Sequence, residues 1–182
     1  MSPKRMNRFS VIFYLFLISC ILSCNNDKVE KSKQPNIILI MADDLGYGDL
    51  GSYGNLDIKT PHLDMLAKNG IRFTDFHSNG AVCSPTRAAL LTGRYPQKAG
   101  IGAVVTALNH RHTGLAIDEF TIADFFKEEN YKTGIIGKWH LGYDTIFSPV
   151  NNGFDEFKGF VSGNIDYHSH IDQVDTYDLV AK

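Results

Sequence analysis

The chain has 182 residues, of which 43% are hydrophobic and 21% charged, and its formal net charge is −2. This length gives room for one domain, and the composition is ordinary for a soluble globular protein. A net charge this close to zero leaves no basic footprint for nucleic acid, so a nucleic-acid partner is not expected.

The N-terminus predicts an export signal. Lys4, Arg5 and Arg8 precede residues 9–22, an apolar stretch that is too short to span a bilayer. The stretch runs into Ile-Leu-Ser-Cys, which resembles a bacterial lipobox, so Cys24 would carry a lipid anchor after cleavage. The chain is then expected to be a periplasmic or cell-surface lipoprotein. An ordinary secretory signal and an uncleaved anchor are the alternatives, and each of them also exports the chain.

Removal of this signal simplifies the cysteine chemistry. Residues 1–24 are the predicted lipoprotein signal peptide, and residues 25–34 are a polar tether. With Cys24 lipidated, Cys83 is the only thiol of the mature chain, and no internal disulfide can form. A single unpaired cysteine in an exported protein suggests a chemical role.

The apolar run at residues 36–41 predicts a strand that is buried on both faces. Asp43 and Asp44 follow at its carboxyl end, the edge at which open α/β sheets bind ligands. Adjacent carboxylates repel each other unless a cation neutralises them, and such oxygen ligands suit Ca²⁺ or Mg²⁺. The alternative is that one aspartate caps a turn while the other is solvated.

A glycine pattern next to these aspartates resembles a dinucleotide-binding sequence. Residues 46–51 fit G-x-G-x-x-G directly after the predicted strand. The residues that follow are turn-forming and show no helical period, and the two carboxylates would repel a pyrophosphate. A nucleotide site is therefore not expected.

A helix and a strand are predicted next. Thr60 and the proline after it begin a helix that ends at Asn69 and Gly70, with His62 on its surface. Residues 71–76 alternate apolar and polar side chains, which predicts a strand with Phe73 facing the core.

The segment from Ala81 to Gly93 predicts a short helix that places Cys83 just before its N-terminus. Ser84 would cap this helix, Pro85 fits its first turn, and Gly93 ends it. Free backbone N–H groups and the helix dipole favour an anion at this point. Arg87 lies one turn further on, so the two features would activate the Cys83 thiol. The alternative is that Cys83 is a small core residue.

Residues 94–115 contain many turn-forming residues and predict a long loop. His110 and His112 within it could face an anionic substrate or simply lie in an exposed turn. A helix is predicted over residues 121–129, with one apolar face, and Asn130 ends it because asparagine tolerates the left-handed conformation.

A short strand is predicted to reach Gly137, after which Lys138 and His140 would project on the same side. An ammonium and an imidazole that converge in this way make an anion clamp with one titratable member. A solvated strand end is the alternative for Lys138 and His140.

Two of these segments carry a resemblance to a known family. Cys-x-Pro-x-Arg followed by Leu-Leu-Thr-Gly, within residues 81–93, resembles the signature of the type I sulfatases, in which the cysteine is oxidised to formylglycine. Gly-Lys-Trp-His, at residues 137–140, resembles the second signature, with Asn130 standing where the family usually has glycine. Residues 152–157 and 163–167 resemble segments of arylsulfatase-like enzymes, although roles for His168 and His170 stay open.

The resemblance implies an α/β fold, the alkaline-phosphatase-like α/β/α sandwich with a mostly parallel sheet. It also implies that Asp43 and Asp44 hold Ca²⁺, with Mg²⁺ less favoured. Cys83, as formylglycine, would be both a metal ligand and the nucleophile.

The resemblance assigns roles to three further residues. Arg87 would orient the hydrated formylglycine, Lys138 would contact both it and the sulfate ester, and His140 would hydrogen-bond the hydrate.

The implied function is hydrolysis of sulfuric esters, arylsulfatase-like and directed at sulfated glycans, after conversion of Cys83 by a formylglycine-generating or radical maturase. Family members are longer, so residues 35–182 are expected to be the N-terminal part of a catalytic domain whose sheet is incomplete. The isolated chain is then expected to be poorly stable and inactive. The alternatives are a phosphonate or phosphoester hydrolase of the same superfamily and a non-catalytic lipoprotein that binds sulfated glycans.

Overall fold

The computed structural model describes residues 34–181, which fall into two units divided after Met41. The predicted signal peptide, Cys24 and nearly all of the tether lie outside the described residues. None of the helices within residues 34–181 has the length and hydrophobicity that a membrane span requires.

The first unit, as far as it is described, has no regular secondary structure. The prediction of a buried strand over residues 36–41 is wrong, because Ile38 and Ile40 are 84% and 80% exposed. A strand needs a neighbour to satisfy its backbone groups, and residues 34–41 contain no second segment that provides one. Its apolar character alone therefore does not make it a strand.

Three helices lie in the second unit: α1 (Pro61–Asn69), α2 (Cys83–Thr92) and α3 (Ile122–Glu128). Their ends follow the predicted local signals. Thr60 and Thr121 are the N-cap residues of α1 and α3, and Gly93 ends α2 with φ 65°. Asn130 adopts φ 64° after α3, as its side chain permits. The predicted helices are thus confirmed to within a residue or two.

The glycine pattern at residues 46–51 leads into short 3₁₀ turns, Tyr47–Asp49 and Gly51–Tyr53, and not into an α-helix. The helix N-terminus that a dinucleotide site needs is therefore missing from this part of the described chain.

The predicted strand over residues 71–76 is also wrong. These residues form no strand, and Phe73 is 63% exposed instead of facing the core. Side-chain hydroxyls take the place of strand partners, since Tyr53 donates to the carbonyl of Phe73 at 2.8 Å and Tyr47 donates to that of Thr74 at 3.0 Å. These bonds hold the segment against the preceding turns.

The sheet of the described residues has three strands in the order β1 (Gly134–Lys138), β2 (Glu156–Phe160) and β3 (Val180–Ala181). β1 and β2 are parallel, as the expected fold requires, and β3 runs antiparallel to β2. The core draws on α2, on β2 and on the connecting segments between them, and its buried residues are Ala88, Leu91, Ala99, Ile101, Val105, Leu115, Trp139, Leu141 and Phe157.

Ser84 does not cap α2, contrary to prediction. The N-cap is Val82, and Cys83 is the first helical residue, so Ser84 lies inside the first turn. Its side chain is fully buried and accepts a hydrogen bond from the backbone N–H of Val105 at 3.1 Å. This bond attaches the loop that follows α2 to the start of the helix.

We expect Ser84→Ala to lower the free energy of unfolding by about 1–3 kcal/mol, because it leaves the buried N–H of Val105 without an acceptor. Urea denaturation followed by the fluorescence of Trp139, the single tryptophan and a buried one, measures the change. Ser78→Ala is the control, since the Ser78 hydroxyl is exposed and bonds only the nearby Gly80 carbonyl. Equal effects of the two variants would contradict the assigned role of Ser84.

Candidate active site

Arg87 connects α2 to the end of β1. Its Nη1 donates to the carbonyl oxygen of Lys138 at 2.6 Å, across 51 positions of sequence. Its Nη2 lies 3.6 Å from Asp43 Oδ1, and only 11% of the side chain is exposed. The third nitrogen, Nε, is buried and has no hydrogen-bond partner among the described residues. Arg87 therefore retains an unused donor in a largely desolvated position.

Lys138 reaches the same carboxylate from the last position of β1. Its Nζ lies 3.0 Å from Asp43 Oδ2 and 3.4 Å from Oδ1, and its side chain is also 11% exposed. Burial tends to raise the pKa of Asp43, but the hydrogen bond and charge of Lys138, together with Arg87, outweigh it and lower that pKa below its ordinary value. The alternative that Lys138 is a solvated strand end is thereby excluded.

Asp44, beside this ion pair, is exposed and adopts φ 56°. Cys83 is half-buried with a free thiol at the first position of α2, one helical turn before Arg87. Among residues 34–181, no three side chains of the metal-binding types lie close enough to hold an ion. Asp43, Asp44 and Cys83 therefore have suitable chemistry for a metal but do not form a complete metal site by themselves.

His140 lies directly beyond β1 with φ 60°, in the left-handed region, and is 3% exposed. Its Nε2 is 2.8 Å from the carbonyl oxygen of Val105. Because a carbonyl only accepts, Nε2 carries the proton and Nδ1 is left as an acceptor. That Nδ1 is buried and has no hydrogen-bond partner in the described part of the chain.

The charge state of His140 follows from its surroundings. Burial is the largest influence and the positive charge of Lys138 the next, and together they lower the pKa of His140 from 6.5 to about 4. The carbonyl of Val105 opposes this shift without reversing it. At neutral pH the site thus combines two fixed cations with a neutral imidazole.

The other candidate histidines form their contacts with residues outside this group. His110 Nδ1 contacts Thr106, and His112 Nδ1 pairs with Asp144 at 2.8 Å on the surface. His168 is exposed, and the ring of His170 stacks edge-on against that of Tyr177. Thus Asp43, Arg87, Lys138 and His140 come together, whereas the loop histidines do not join them.

Two contacts around His140 could not be found from the sequence. The carbonyl of Val105 carries no sequence signal, since any residue provides one. Gly163 lies against the imidazole, where an added Cβ would be 2.3 Å from both Cε1 and Nε2. Only the three-dimensional approach of these segments reveals that Gly163 has to be a glycine.

Comparison with known proteins identifies the family. A family model described as Sulfatase matches residues 35–179. The chain belongs to the sulfatase family. Arylsulfatase A of Bos taurus is 52% identical over 127 residues, which cover 69% of this chain and 25% of that protein. Steryl-sulfatase of Mus musculus is 44% identical over 143 residues, with 73% and 23% covered.

Solved structures agree with this assignment. Ps i-CgsB in complex with k-i-k-neocarrahexaose is 43% identical with a TM-score of 0.71, and the match covers 78% of this chain and 31% of that one. The sulfatase family has the alkaline-phosphatase-like α/β fold, and the mixed sheet described above is part of it. The chain spans about a quarter of the length of the curated relatives that it matches.

The low pKa of His140 predicts an acid-sensitive fold. The unfolded chain binds the proton near pH 6.5 and the folded chain only near pH 4. Stability therefore falls as the pH drops from 6.5 to 4, by about 3 kcal/mol in total. Urea denaturation at intervals between pH 7 and pH 4 measures this loss.

His140→Asn is the matched variant, because asparagine tolerates a positive φ but does not titrate. Between pH 6.5 and pH 4 we expect the free energy of unfolding of this variant to fall by about 3 kcal/mol less than that of the protein with His140. Parallel pH profiles for the two proteins would contradict the buried, neutral state of His140.

Proposed function

We propose that this chain contributes the N-terminal part of the active site of a sulfuric ester hydrolase whose substrate is a sulfated carbohydrate. The observation that carries the proposal is the convergence of Arg87 and Lys138, both largely buried, on the single carboxylate of Asp43. The similarity to Ps i-CgsB, solved with an oligosaccharide, supports the carbohydrate class.

Arg87 and Lys138 are the groups that would stabilise the reaction electrostatically. Negative charge develops on the sulfonyl oxygens as the ester bond breaks, and fixed cations in a largely desolvated site stabilise that charge effectively. The unused Nε of Arg87 is a further donor for the same purpose. In this proposal Lys138 contacts the sulfate ester, and Arg87 orients the nucleophile.

The proposed nucleophile is Cys83 after oxidation to formylglycine. In its hydrated form this residue supplies a hydroxyl nucleophile, and covalent catalysis divides the reaction into two easier steps. The start of α2 supports the assignment, because its free N–H groups favour negative charge beside residue 83. His140 would accept a hydrogen bond from the hydrate through Nδ1, the acceptor that the described residues leave unused.

Asp43 and Asp44 are the proposed carboxylate ligands of Ca²⁺, with Mg²⁺ as the less favoured ion. Their oxygen donors suit either cation. Since the described residues do not complete the ligand set, further ligands would have to come from elsewhere in the active protein.

The proposed setting is the periplasm or cell surface of a bacterium, with a lipid anchor on Cys24. Lys4, Arg5 and Arg8, followed by the apolar residues 9–22, support export. A formylglycine-generating or radical maturase is then the partner that modifies Cys83.

Mass spectrometry of the tryptic peptide from Phe73 to Arg87, from protein isolated in its native host, tests the maturation. We expect an aldehyde in place of the Cys83 thiol in a substantial fraction of the peptide. A sulfatase of established activity from the same preparation is the control. A plain thiol at residue 83, with the control sulfatase converted, would contradict the formylglycine mechanism and favour a glycan-binding lipoprotein.

Turnover of a sulfate ester and a phosphonate ester of the same alcohol, by the protein from its native host, tests the reaction class. We expect faster turnover of the sulfate ester, and a loss of about 10²–10³-fold in kcat for Lys138→Ala, because a donor to the developing charge is removed. Lys68→Ala, in the exposed last turn of α1, is the matched control and should leave turnover unchanged. Preferred cleavage of the phosphonate would favour the phosphonate hydrolase alternative.

A further inference from the structure

Asp178 is a buried carboxylate that the proposed chemistry does not use. It is 5% exposed, and it forms no ion pair with the other described residues. Burying a carboxylate is costly unless hydrogen bonds satisfy it. Its oxygens accept two successive backbone N–H groups, Val161 to Oδ1 at 3.1 Å and Ser162 to Oδ2 at 2.7 Å.

These bonds lie where the ladder between β2 and β3 ends. Gly159 pairs with Val180, and continuing that antiparallel register places Asp178 opposite Val161. The side chain of Asp178 thus provides acceptors beyond the last paired position of the ladder. The N–H groups of Val161 and Ser162 are therefore bonded by a side chain, at positions where the backbone pairing between β2 and β3 has already ended.

The segment fixed in this way holds His140 in two ways. The backbone N–H of His140 donates to the carbonyl of Val161 at 3.0 Å. Gly163 lies directly against the imidazole, at a distance that admits no side chain. Val161, which donates to Asp178, therefore also bonds the His140 backbone. Gly163, which follows Ser162, packs on the imidazole ring.

His140 needs such support because its backbone is in the left-handed region, which is strained for a residue other than glycine and persists only where the surroundings impose it. The carbonyl of Val105 fixes the ring through Nε2. We propose that Asp178 is a positioning residue for His140, acting through residues 161–163 to hold the imidazole with Nδ1 available to the site. The proposal rests on the proposed function only in treating His140 as a site residue.

Asp178→Asn tests this role, because it keeps the size of the side chain but replaces one acceptor by an amide NH₂ that faces a backbone N–H. The matched control is Asp172→Asn in the same loop, another buried carboxylate, whose Oδ1 accepts the N–H groups of Val174 and Thr176. Of these two carboxylates, only Asp178 bonds the segment that supports His140.

The measurement is NMR of the full chain labelled with ¹⁵N, with the His140 resonances assigned by comparison with His140→Asn. We expect the unmodified protein to show one neutral His140 tautomer, protonated at Nε2. In Asp178→Asn, exchange of the His140 amide should accelerate about tenfold or more, and a second tautomer should appear. Asp172→Asn should keep both features. Equal behaviour of the two variants would overturn the proposal.

A second measurement covers the case in which Asp178→Asn does not fold. In the protein without substitutions, the Val161 and Ser162 amides should be as protected from exchange as the His140 amide, and rapid exchange at either would overturn the proposal.

In the turnover assay, Asp178→Asn should lower kcat more than it changes KM, and Asp172→Asn should not. If the protein isolated from its native host, without substitutions, shows no turnover, the proposed function fails, while the NMR comparison still decides the role of Asp178.

Discussion

Arg87 and Lys138 bring two positive charges together, although each side chain keeps only about a tenth of its surface exposed. Like charges in a partly desolvated place repel each other, so the arrangement is stable only with a counter-charge and a rigid frame. Asp43 is the counter-charge, and the bond from Arg87 to the carbonyl of Lys138 is part of the frame. This bond joins the middle of α2 to the end of β1, and the rest of the site is arranged around that junction.

Burial is the main cause of the neutral state of His140, and the same cation pair reinforces it. A protonated imidazole would add a third positive charge beside Lys138 in a more deeply buried position. Burial and repulsion therefore act in one direction, and the ring is left as a hydrogen-bond acceptor through Nδ1. Burial, with two fixed positive charges added to it, thus keeps His140 a neutral hydrogen-bond acceptor.

The sequence predicted the features that depend on neighbouring residues. Thr60, Thr121, Gly93 and Asn130 end or begin helices because of their own side chains or backbone freedom, so local rules suffice. Residues 36–41 and 71–76 were wrongly predicted as strands, because a strand also needs a partner at a distance that the pattern does not specify.

Among the site residues, Asp43, Arg87, Lys138 and His140 were found from motifs, and the structure brings these four together. Ser84 was misassigned because a competing partner, the N–H of Val105, lies 21 positions away. Asp178 gave no signal for a similar reason, since its position opposite Val161 depends on strand register.

The counter-charge also bears on how an anionic substrate could enter. The cations have already lost most of their contact with water in the folded chain, so that part of the desolvation cost is met on folding and not on binding. Asp43 remains 47% exposed, which makes it the more accessible member of the ion pair. Under the proposed function, a sulfate ester that contacts Lys138 would add to the negative charge that Asp43 already places beside this cation. An internal carboxylate of this kind keeps two cations correctly placed in the absence of substrate.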